Sequence, residues 1–253
     1  READLRETRK QLRRSNEELE QFAYAASHDL KEPLRSVSNY LTLFNDLYDE
    51  GQTLDAQAKT LIKDAVGATR RMQSMINALL QYSRVDSRGG DLEPTPLDAV
   101  VEKAELNLTV RIDDIGATVT TDSLPTVSGD ERLLIQLFQN LIDNGLKYNE
   151  SANPRISITL GEAVANIDPP EPVALDESTS WHHIRVEDNG IGMDADVADR
   201  AFDVFERLGR TDENGTGMGL TLCQRIVEYH NGAIWLESAP GDGTAVHLCL
   251  SDV

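Results

Sequence analysis

Apolar residues recur with helical spacing over the first third of the chain. At the start, a stripe with a period of seven residues is formed by Leu5, Leu12, Leu19 and Ala26. This is the spacing of a coiled-coil seam, so residues 1–20 are predicted to form a signal helix that joins two copies of the chain. A solvated helix with an incidental leucine stripe is the alternative interpretation.

Two longer helices are predicted next. The first covers residues 22–48, and Pro33 should kink it because proline removes a backbone donor. The second runs from about Leu54 to Ser83, with Met72 and Met75 among its core-facing residues. Two long helices joined by a short loop form an antiparallel hairpin, and two hairpins form a dimeric four-helix bundle. Residues 21–86 are therefore predicted to form an all-α dimerisation domain.

Residues 87–96 contain two glycines and two prolines and are predicted to be a linker. After them the hydrophobic period alternates between helical and strand spacing. Helices are expected at about 97–113, 130–148 and 218–230, and strands at 117–121, 126–128, 155–160, 182–187, 233–237 and 245–250. Mixed helices and mostly antiparallel strands indicate that residues 97–253 form an α+β sandwich, with helices on one face of one sheet. Residues 161–181 are interpreted as an irregular insert.

The charge balance restricts the class of partner. A formal net charge of -20 argues against nucleic acid, since phosphate binding needs clustered cations. The acidic, lysine-poor composition suits either a salt-rich cytoplasm or an ordinary acidic cytosolic protein. Cys223 and Cys249 lack metal or redox spacing and are expected to be reduced, buried thiols.

The chain shows neither a signal peptide nor a window of eighteen apolar residues. It begins at Arg1 in a helical pattern, so we expect it to be a fragment of a longer protein. We expect this fragment to be cytoplasmic, whether the full-length protein is soluble or membrane-anchored.

One histidine on the first long helix is a candidate nucleophile. His28 is followed immediately by Asp29. A neutral imidazole is a competent nucleophile, and a neighbouring carboxylate can hold its tautomer or accept its proton. Taken alone, such a pair is more often an ordinary surface pair.

The first of four clusters in the second domain is the segment QNLIDNGLKYN. It places Asn140, Asn144, Lys147 and Tyr148 along one helical face. Asparagine oxygens suit Mg²⁺, a lysine one turn on can meet phosphate oxygens, and a tyrosine ring can stack.

The second and third clusters are EDNGIGM and FDVFERLGR. In the second, Asp188 ends a strand, and Gly190 and Gly192 allow the backbone to approach a flat ligand. An aspartate there can accept a hydrogen bond from the amino group of adenine. The third combines apolar residues with the cations Arg207 and Arg210.

The fourth cluster, GTGMGLTL, opens a helix with Gly215, Thr216, Gly217, Gly219 and Leu220. The N-terminal amides of such a helix can bind phosphates. A glycine-rich turn alone is a weak signal. All four clusters in this order predict nucleotide binding.

The complete pattern resembles the sensor histidine kinases of two-component signalling. The segment from His28 to Pro33 is similar to the family's H-box, and the four clusters are similar to its N, G1, F and G2 boxes. The resemblance implies a dimerisation and phosphotransfer hairpin followed by a Bergerat-type ATP-binding sandwich, as in gyrase, Hsp90 and MutL.

For the phosphotransfer step, the resemblance implies that His28 attacks the γ-phosphate of ATP while Asp29 polarises or deprotonates the imidazole of His28. Asn144 would hold Mg²⁺, and Asn140 would help to orient the metal or the attack. The phosphoryl group would then pass to an aspartate of a response-regulator receiver domain. This domain is expected to dock around Leu34, Arg35, Ser38 and Tyr40.

For nucleotide binding, the resemblance implies that Lys147 contacts phosphate, Tyr148 flanks the nucleotide and Asp188 accepts the adenine amino group. Either Arg207 or Arg210 would contact the γ-phosphate. The pocket and lid would be shaped by Gly190, Gly192, Gly215, Thr216, Gly217, Gly219 and Leu220. ATP must reach the histidine, so large interdomain motion gated by the coiled coil is expected.

The family pattern is broken at Glu32, where many members that dephosphorylate their partner have Thr or Asn. A carboxylate repels a phosphoryl group, so weak phosphatase activity is the hypothesis. Two rival functions remain. An ATPase of the same fold needs a general base where this chain has Asn140, and a scaffold would bind nucleotide without transfer.

Overall fold

The computed structural model describes seven stretches of the chain, at residues 34–35, 37–39, 41–42, 56–88, 92–162, 179–203 and 217–253. The chain divides into two compact units, and the boundary between them lies at Ser87 and Arg88. The predicted coiled coil over residues 1–20, Pro33 and the loop of the hairpin lie outside the described residues.

The first unit is helical in all of its described residues. Helix α1 spans Ala56–Arg88, and the described residues between 34 and 42, including Leu34, Arg35 and Ser38, are helical too. Helix α1 extends beyond the predicted end at Ser83 because no glycine or proline occurs between Ser83 and Gly89, and because Val85 is buried. Met72, predicted from its spacing to lie in the core of the dimeric bundle, is 44% exposed within the single chain.

The second unit is an α/β sandwich. Its strands are β1 (Glu93–Pro96), β2 (Thr118–Thr121), β3 (Thr126–Gly129), β4 (Arg155–Leu160), β5 (Trp181–Asp188), β6 (Ala233–Ala239) and β7 (Gly243–Ser251). Its helices are α2 (Leu97–Ile115), α3 (Glu131–Lys147), α4 (Ala195–Ala198) and α5 (Gly219–Tyr229). Five strands form one sheet in the order β2-β4-β5-β7-β6, in which only the β2–β4 pair is parallel. The predicted α+β class and its mostly antiparallel sheet are confirmed.

A second, two-stranded sheet corrects two predictions. Strand β1 pairs antiparallel with β3, so the sandwich has more than one sheet and the predicted linker over residues 87–96 already contains a strand. The two prolines concealed this strand, although prolines are tolerated where a strand has a neighbour on one side only. Thr95 between them is buried, and its hydroxyl donates to the carbonyl oxygen of Gly129 at 2.9 Å.

The core lies between the helices and one face of the five-stranded sheet. Helix α3 packs against β4 and β5, helix α5 packs against β6 and β7, and α2 packs against α3. The largest fully buried side chains include Leu134, Leu137, Phe138 and Ile142 of α3 and Ile156, Ile158, Ile184 and Leu248 of the sheet. This apolar stripe along α3 leaves its opposite side for polar residues.

The opposite face of the sheet contains a stacked ring cluster. The rings of Trp235 and His247 stack at 5.1 Å, and Nε2 of His183 lies 2.9 Å from Nδ1 of His247. Among the residues that the structure describes, no group of three or more His, Cys, Asp or Glu could hold a metal ion. Cys223 and Cys249 are buried free thiols, as expected.

In the described part of the chain, no helix is both long enough and apolar enough to span a membrane.

Candidate functional site

A cleft of about 550 Å³, part of it open to solvent, lies between α3, the sheet and the loop that follows β5. Five of the predicted site residues, Asn144, Tyr148, Asp188, Gly192 and Leu220, line this cleft. Its other lining residues are Leu141, Ile156, Val186, Ile191, Met193, Thr244 and Val246. The cleft is therefore mostly apolar, with a few convergent polar groups, as is usual for a small-molecule site.

Helix α3 contributes one polar end of the cleft. Asn144 is half-buried, and a Cβ atom built on Gly219 would lie 3.5 Å from both polar atoms of its carboxamide. Gly219 is the first residue of α5, so the amide of Asn144 lies beside the N-terminus of that helix. The unpaired N–H groups of a helix N-terminus attract anions.

The other polar residues predicted on the same face of α3 do not all lie beside Asn144. The amide nitrogen of Asn140 is buried without a hydrogen-bond partner, beside Cys223, whose pKa burial raises to about 12 while the side chain of Asn140 lowers it. Asn140 is therefore turned toward α5 and does not line the cleft. The Nζ atom of Lys147 lies 2.9 Å from the hydroxyl of Tyr148 and 4.5 Å from the centre of its ring.

Asp188 forms the other polar end, where β5 finishes. Its Oδ1 atom accepts a hydrogen bond from the N–H of Gly190 at 2.8 Å, and its carboxylate also accepts from the N–H of Thr244. Burial raises the pKa of Asp188, and these backbone donors oppose the shift. The carboxyl group thus has its position fixed by two backbone donors while it faces the cleft.

The loop at residues 190–193 closes the same end. Gly192 has φ +66°, and a Cβ atom on it would lie 1.9 Å from the carbonyl oxygen of Ala239. The N–H of Ile191 donates to the carbonyl oxygen of Tyr148 at 2.9 Å, and its own carbonyl accepts from Gly241 at 2.7 Å. Glycine is thus required at position 192 because both the backbone conformation and the close approach of Ala239 exclude a side chain.

The fourth cluster is described only from residue 217. Gly217 has φ +67°, Gly219 begins α5, and Leu220 lines the cleft. Gly190 and Gly217 are not among the residues that line the cleft. His28, Asp29, Glu32, Arg207, Arg210, Gly215 and Thr216 lie outside the described residues.

Family models match both units of the chain. Residues 18–88 match the His Kinase A (phospho-acceptor) domain, and residues 129–253 match the histidine kinase-, DNA gyrase B- and HSP90-like ATPase. The chain belongs to the sensor histidine kinases.

Two cyanobacterial relatives support the assignment of this kinase. The chain is 41% identical over 248 residues to the phytochrome-like protein Cph1 of Synechocystis sp., covering 98% of the chain and 31% of the relative. It is also 41% identical to cyanobacterial phytochrome A of Nostoc sp., covering 94% of the chain and 29% of the relative. The chain thus spans about a third of the length of these relatives.

A solved structure supports the fold. The crystal structure of full-length ShkA in complex with AMPPNP matches 91% of this chain and 45% of its own, with a TM-score of 0.58 and 20% identity. The fold of the kinase is therefore shared with this structure.

Seven residues of the cleft in this kinase were missed from the sequence. Six of them are apolar, and three of these, Leu141, Ile191 and Met193, are next to predicted residues in the sequence. Val186 lies on the same strand face as Asp188, two residues away, so a period of two could have found it. The missed polar residue is Thr244. It follows the Gly-Asp-Gly turn and pairs with Asp188 across β5 and β7, a relationship that depends on tertiary register.

Proposed function

We propose that this chain transfers the γ-phosphoryl group of ATP to His28 and then to an aspartate of a response-regulator receiver domain. The observation that supports it most strongly is the single cleft that has Asp188 at one end and Asn144 with the start of α5 at the other. An adenine acceptor and a phosphate site are thereby separated along one apolar slot. The match of a phospho-acceptor family model across His28 supplies the second half of the proposal.

The end of the cleft at Asp188 suits the adenine base of ATP. Its carboxylate accepts hydrogen bonds, and the walls beside it are the apolar Val186, Ile191 and Val246. A flat heterocycle with an amino group gains both burial of its faces and one charge-assisted hydrogen bond there. Tyr148 lies in the same wall and can flank the ring.

The Asn144 end suits the phosphates. The amide oxygen of Asn144 is a hard ligand of the kind that Mg²⁺ prefers, and phosphates and waters supply the other ligands of such an ion. When bound, Mg²⁺ would neutralise charge on the phosphates. The N–H groups at the start of α5 lie beside Asn144 and face the same anion.

In the transfer step, a nitrogen of neutral His28 attacks the γ-phosphorus in line with the leaving oxygen of ADP. A P–N bond forms as the P–O bond breaks, and Asp29 accepts or orients the imidazole proton. Catalysis then depends on positioning and on charge neutralisation. A receiver carboxylate subsequently attacks the same phosphorus and regenerates His28.

We also propose that the chain acts as a homodimer through its helical unit, in the cytoplasm where ATP is available. Within the single chain, Val37 is 47% exposed and Met72 is 44% exposed. Exposed apolar residues on helices are typical of bundle surfaces that another helix covers.

The rival ATPase reaction is disfavoured by the site itself. Asn140 cannot accept a proton, and it turns toward Cys223. Among the residues that line the cleft, Asp188 is the acid, and two backbone donors already bind it.

Incubation with γ-³²P-ATP and Mg²⁺ tests the proposal on the wild type and His28→Ala. Acid-labile, base-stable label that the substitution removes is the expected result. Steady phosphate release without label, unchanged in His28→Ala, would establish the ATPase instead. Nucleotide binding with neither label nor release would favour the scaffold.

A further inference from the structure

A serine behind the cleft connects two of its walls. Ser238 lies in β6, directly opposite Thr244 of β7. Its hydroxyl oxygen accepts the N–H of Met193 at 2.9 Å, lies 2.8 Å from the carbonyl oxygen of Gly243, and lies 3.0 Å from the hydroxyl oxygen of Thr244. The hairpin of β6 and β7 is thereby linked to the loop at residues 190–193.

The direction of these hydrogen bonds follows from proton counting. A carbonyl oxygen only accepts, so the single hydroxyl proton of Ser238 is donated to Gly243. The remaining contact between Ser238 and Thr244 then requires Thr244 to be the donor. The hydroxyl of Ser238 is thus fully used, with one donated and two accepted hydrogen bonds.

This arrangement determines what Thr244 offers to the cleft. Thr244 lines the cleft close to Asp188, and its backbone N–H already donates to that carboxylate. Because its hydroxyl proton points to Ser238, only lone pairs remain on the cleft side. Asp188 and Thr244 therefore both present hydrogen-bond acceptors to this end of the cleft.

We infer that Ser238 is a positioning residue that sets the nucleobase preference of the site, by orienting the Thr244 hydroxyl so that it accepts and does not donate. Adenine has an amino group where guanine has a carbonyl oxygen. An acceptor attracts the first and repels the second, so the orientation favours ATP over GTP. This inference rests on the proposed nucleotide-binding function.

The test compares the affinities of the whole chain for Mg²⁺-ATP and Mg²⁺-GTP by calorimetric titration, in the wild type, Ser238→Ala and Ser238→Thr. In Ser238→Ala the Thr244 hydroxyl is released and can turn its proton toward a guanine carbonyl. The ratio of ATP to GTP affinity should then fall by roughly tenfold, the scale of one hydrogen bond whose direction reverses. Ser238→Thr keeps the hydroxyl and should therefore keep the wild-type ratio of ATP to GTP affinity.

The ratio of ATP to GTP affinity distinguishes a role of Ser238 in orienting the Thr244 hydroxyl from a merely structural role. Loss of the hydrogen bond to Met193 loosens the loop and weakens both nucleotides equally, so an unchanged ratio in Ser238→Ala would overturn the inference. Ser157→Ala, on the outer face of β4, is the matched control and should keep both affinities. A wild type that binds neither nucleotide would overturn the proposed function together with this inference.

A second variant covers the case in which Ser238→Ala does not fold. Thr244→Val keeps the side-chain volume and the Ser238 hydrogen bonds to Met193 and Gly243, but it removes the acceptor from the cleft. The same fall in the ATP to GTP ratio is expected. An unchanged ratio in Thr244→Val would contradict the inference independently.

Discussion

The imidazole of His230 accepts a hydrogen bond from the backbone N–H of Asp130 at 3.0 Å. Its other nitrogen, Nδ1, donates to the carbonyl oxygen of Ile226 at 2.7 Å. The end of α5 is thereby fastened to the N-cap of α3, where the Asp130 side chain accepts from Arg132 and Leu133. His230 thus joins the two helices at the ends that are remote in sequence from Asn144 on α3 and from Gly219 on α5.

The neutral state of His230 predicts a pH dependence of stability. Burial lowers the pKa of His230, which is 0% exposed, and burial likewise lowers the pKa values of His183 and His247. Below the usual histidine pKa of about 6.5, the unfolded chain therefore binds more protons than the folded chain. The contribution of these neutral histidines to the free energy of unfolding is complete above that pH. It should fall as the pH drops below this value, by up to about 1.4 kcal/mol per pH unit for each neutral histidine.

Denaturant unfolding of the chain between pH 7.5 and pH 5 measures this slope. His230→Gln should flatten it more than the control His182→Gln, since the side chain of His182 is 26% exposed and lies beside Asp252. An identical slope in the wild type and His230→Gln would show that His230 does not contribute.

Asp188→Asn should weaken ATP binding by roughly ten- to a hundredfold, because a hydrogen bond to a charged group contributes about 1.5–3 kcal/mol. The matched control is Glu187→Gln, which alters the neighbouring residue on the other face of β5, where Glu187 pairs with Arg185. Titration with a fluorescent ATP analogue measures both. Equal losses in the two variants would mean that general surface charge, and not the Asp188 contact, controls affinity.

Gly192→Ala should be far more damaging than Gly116→Ala, although both glycines have nearly the same positive φ, +66° and +68°. A Cβ atom at Gly116 meets no atom within 4 Å, whereas at Gly192 it collides with the carbonyl of Ala239. Gly116→Ala should cost about 1–2 kcal/mol of backbone strain, while Gly192→Ala adds displacement of the loop and loss of ATP binding. Thermal unfolding and ATP titration of the two variants provide the comparison, and similar behaviour of both would contradict the role assigned to the loop.

Glu32 predicts weak phosphatase activity toward a phosphorylated receiver domain, because its carboxylate repels the phosphoryl group. The rate of receiver dephosphorylation by the wild type should be slow, and Glu32→Asn, which removes the charge and adds an amide donor, should raise it. Rapid dephosphorylation by the wild type that Glu32→Ala abolishes would refute the hypothesis.

Local patterns predicted most of the elements of the sandwich, although not strand β1 or the short helix α4. Helix α3 was placed within one residue at each end, because Asp130 is a strong N-cap residue and the apolar stripe is regular. Strand β1 was taken as linker because Pro94 and Pro96 look like breakers, and only its pairing with β3 shows otherwise.

Parts of the site depend on contacts between distant residues and could not be read from spacing. Thr244 reaches Asp188 through the register of β5 and β7. Asn140 and Asn144 share a helical face in the sequence, yet the packing of Cys223 from α5 turns only Asn140 away from the cleft. Such distinctions arise from tertiary packing, which a single sequence does not encode locally.

We expect ATP bound in the Asp188 cleft to supply the phosphoryl group that modifies His28. Tandem mass spectrometry at neutral pH, after brief incubation with Mg²⁺-ATP, tests it in the wild type and Asp188→Asn. The wild type should carry a phosphate on the peptide at His28, and Asp188→Asn should carry a strongly reduced amount. Phosphate on another residue, or equal modification of His28 in both proteins, would contradict it.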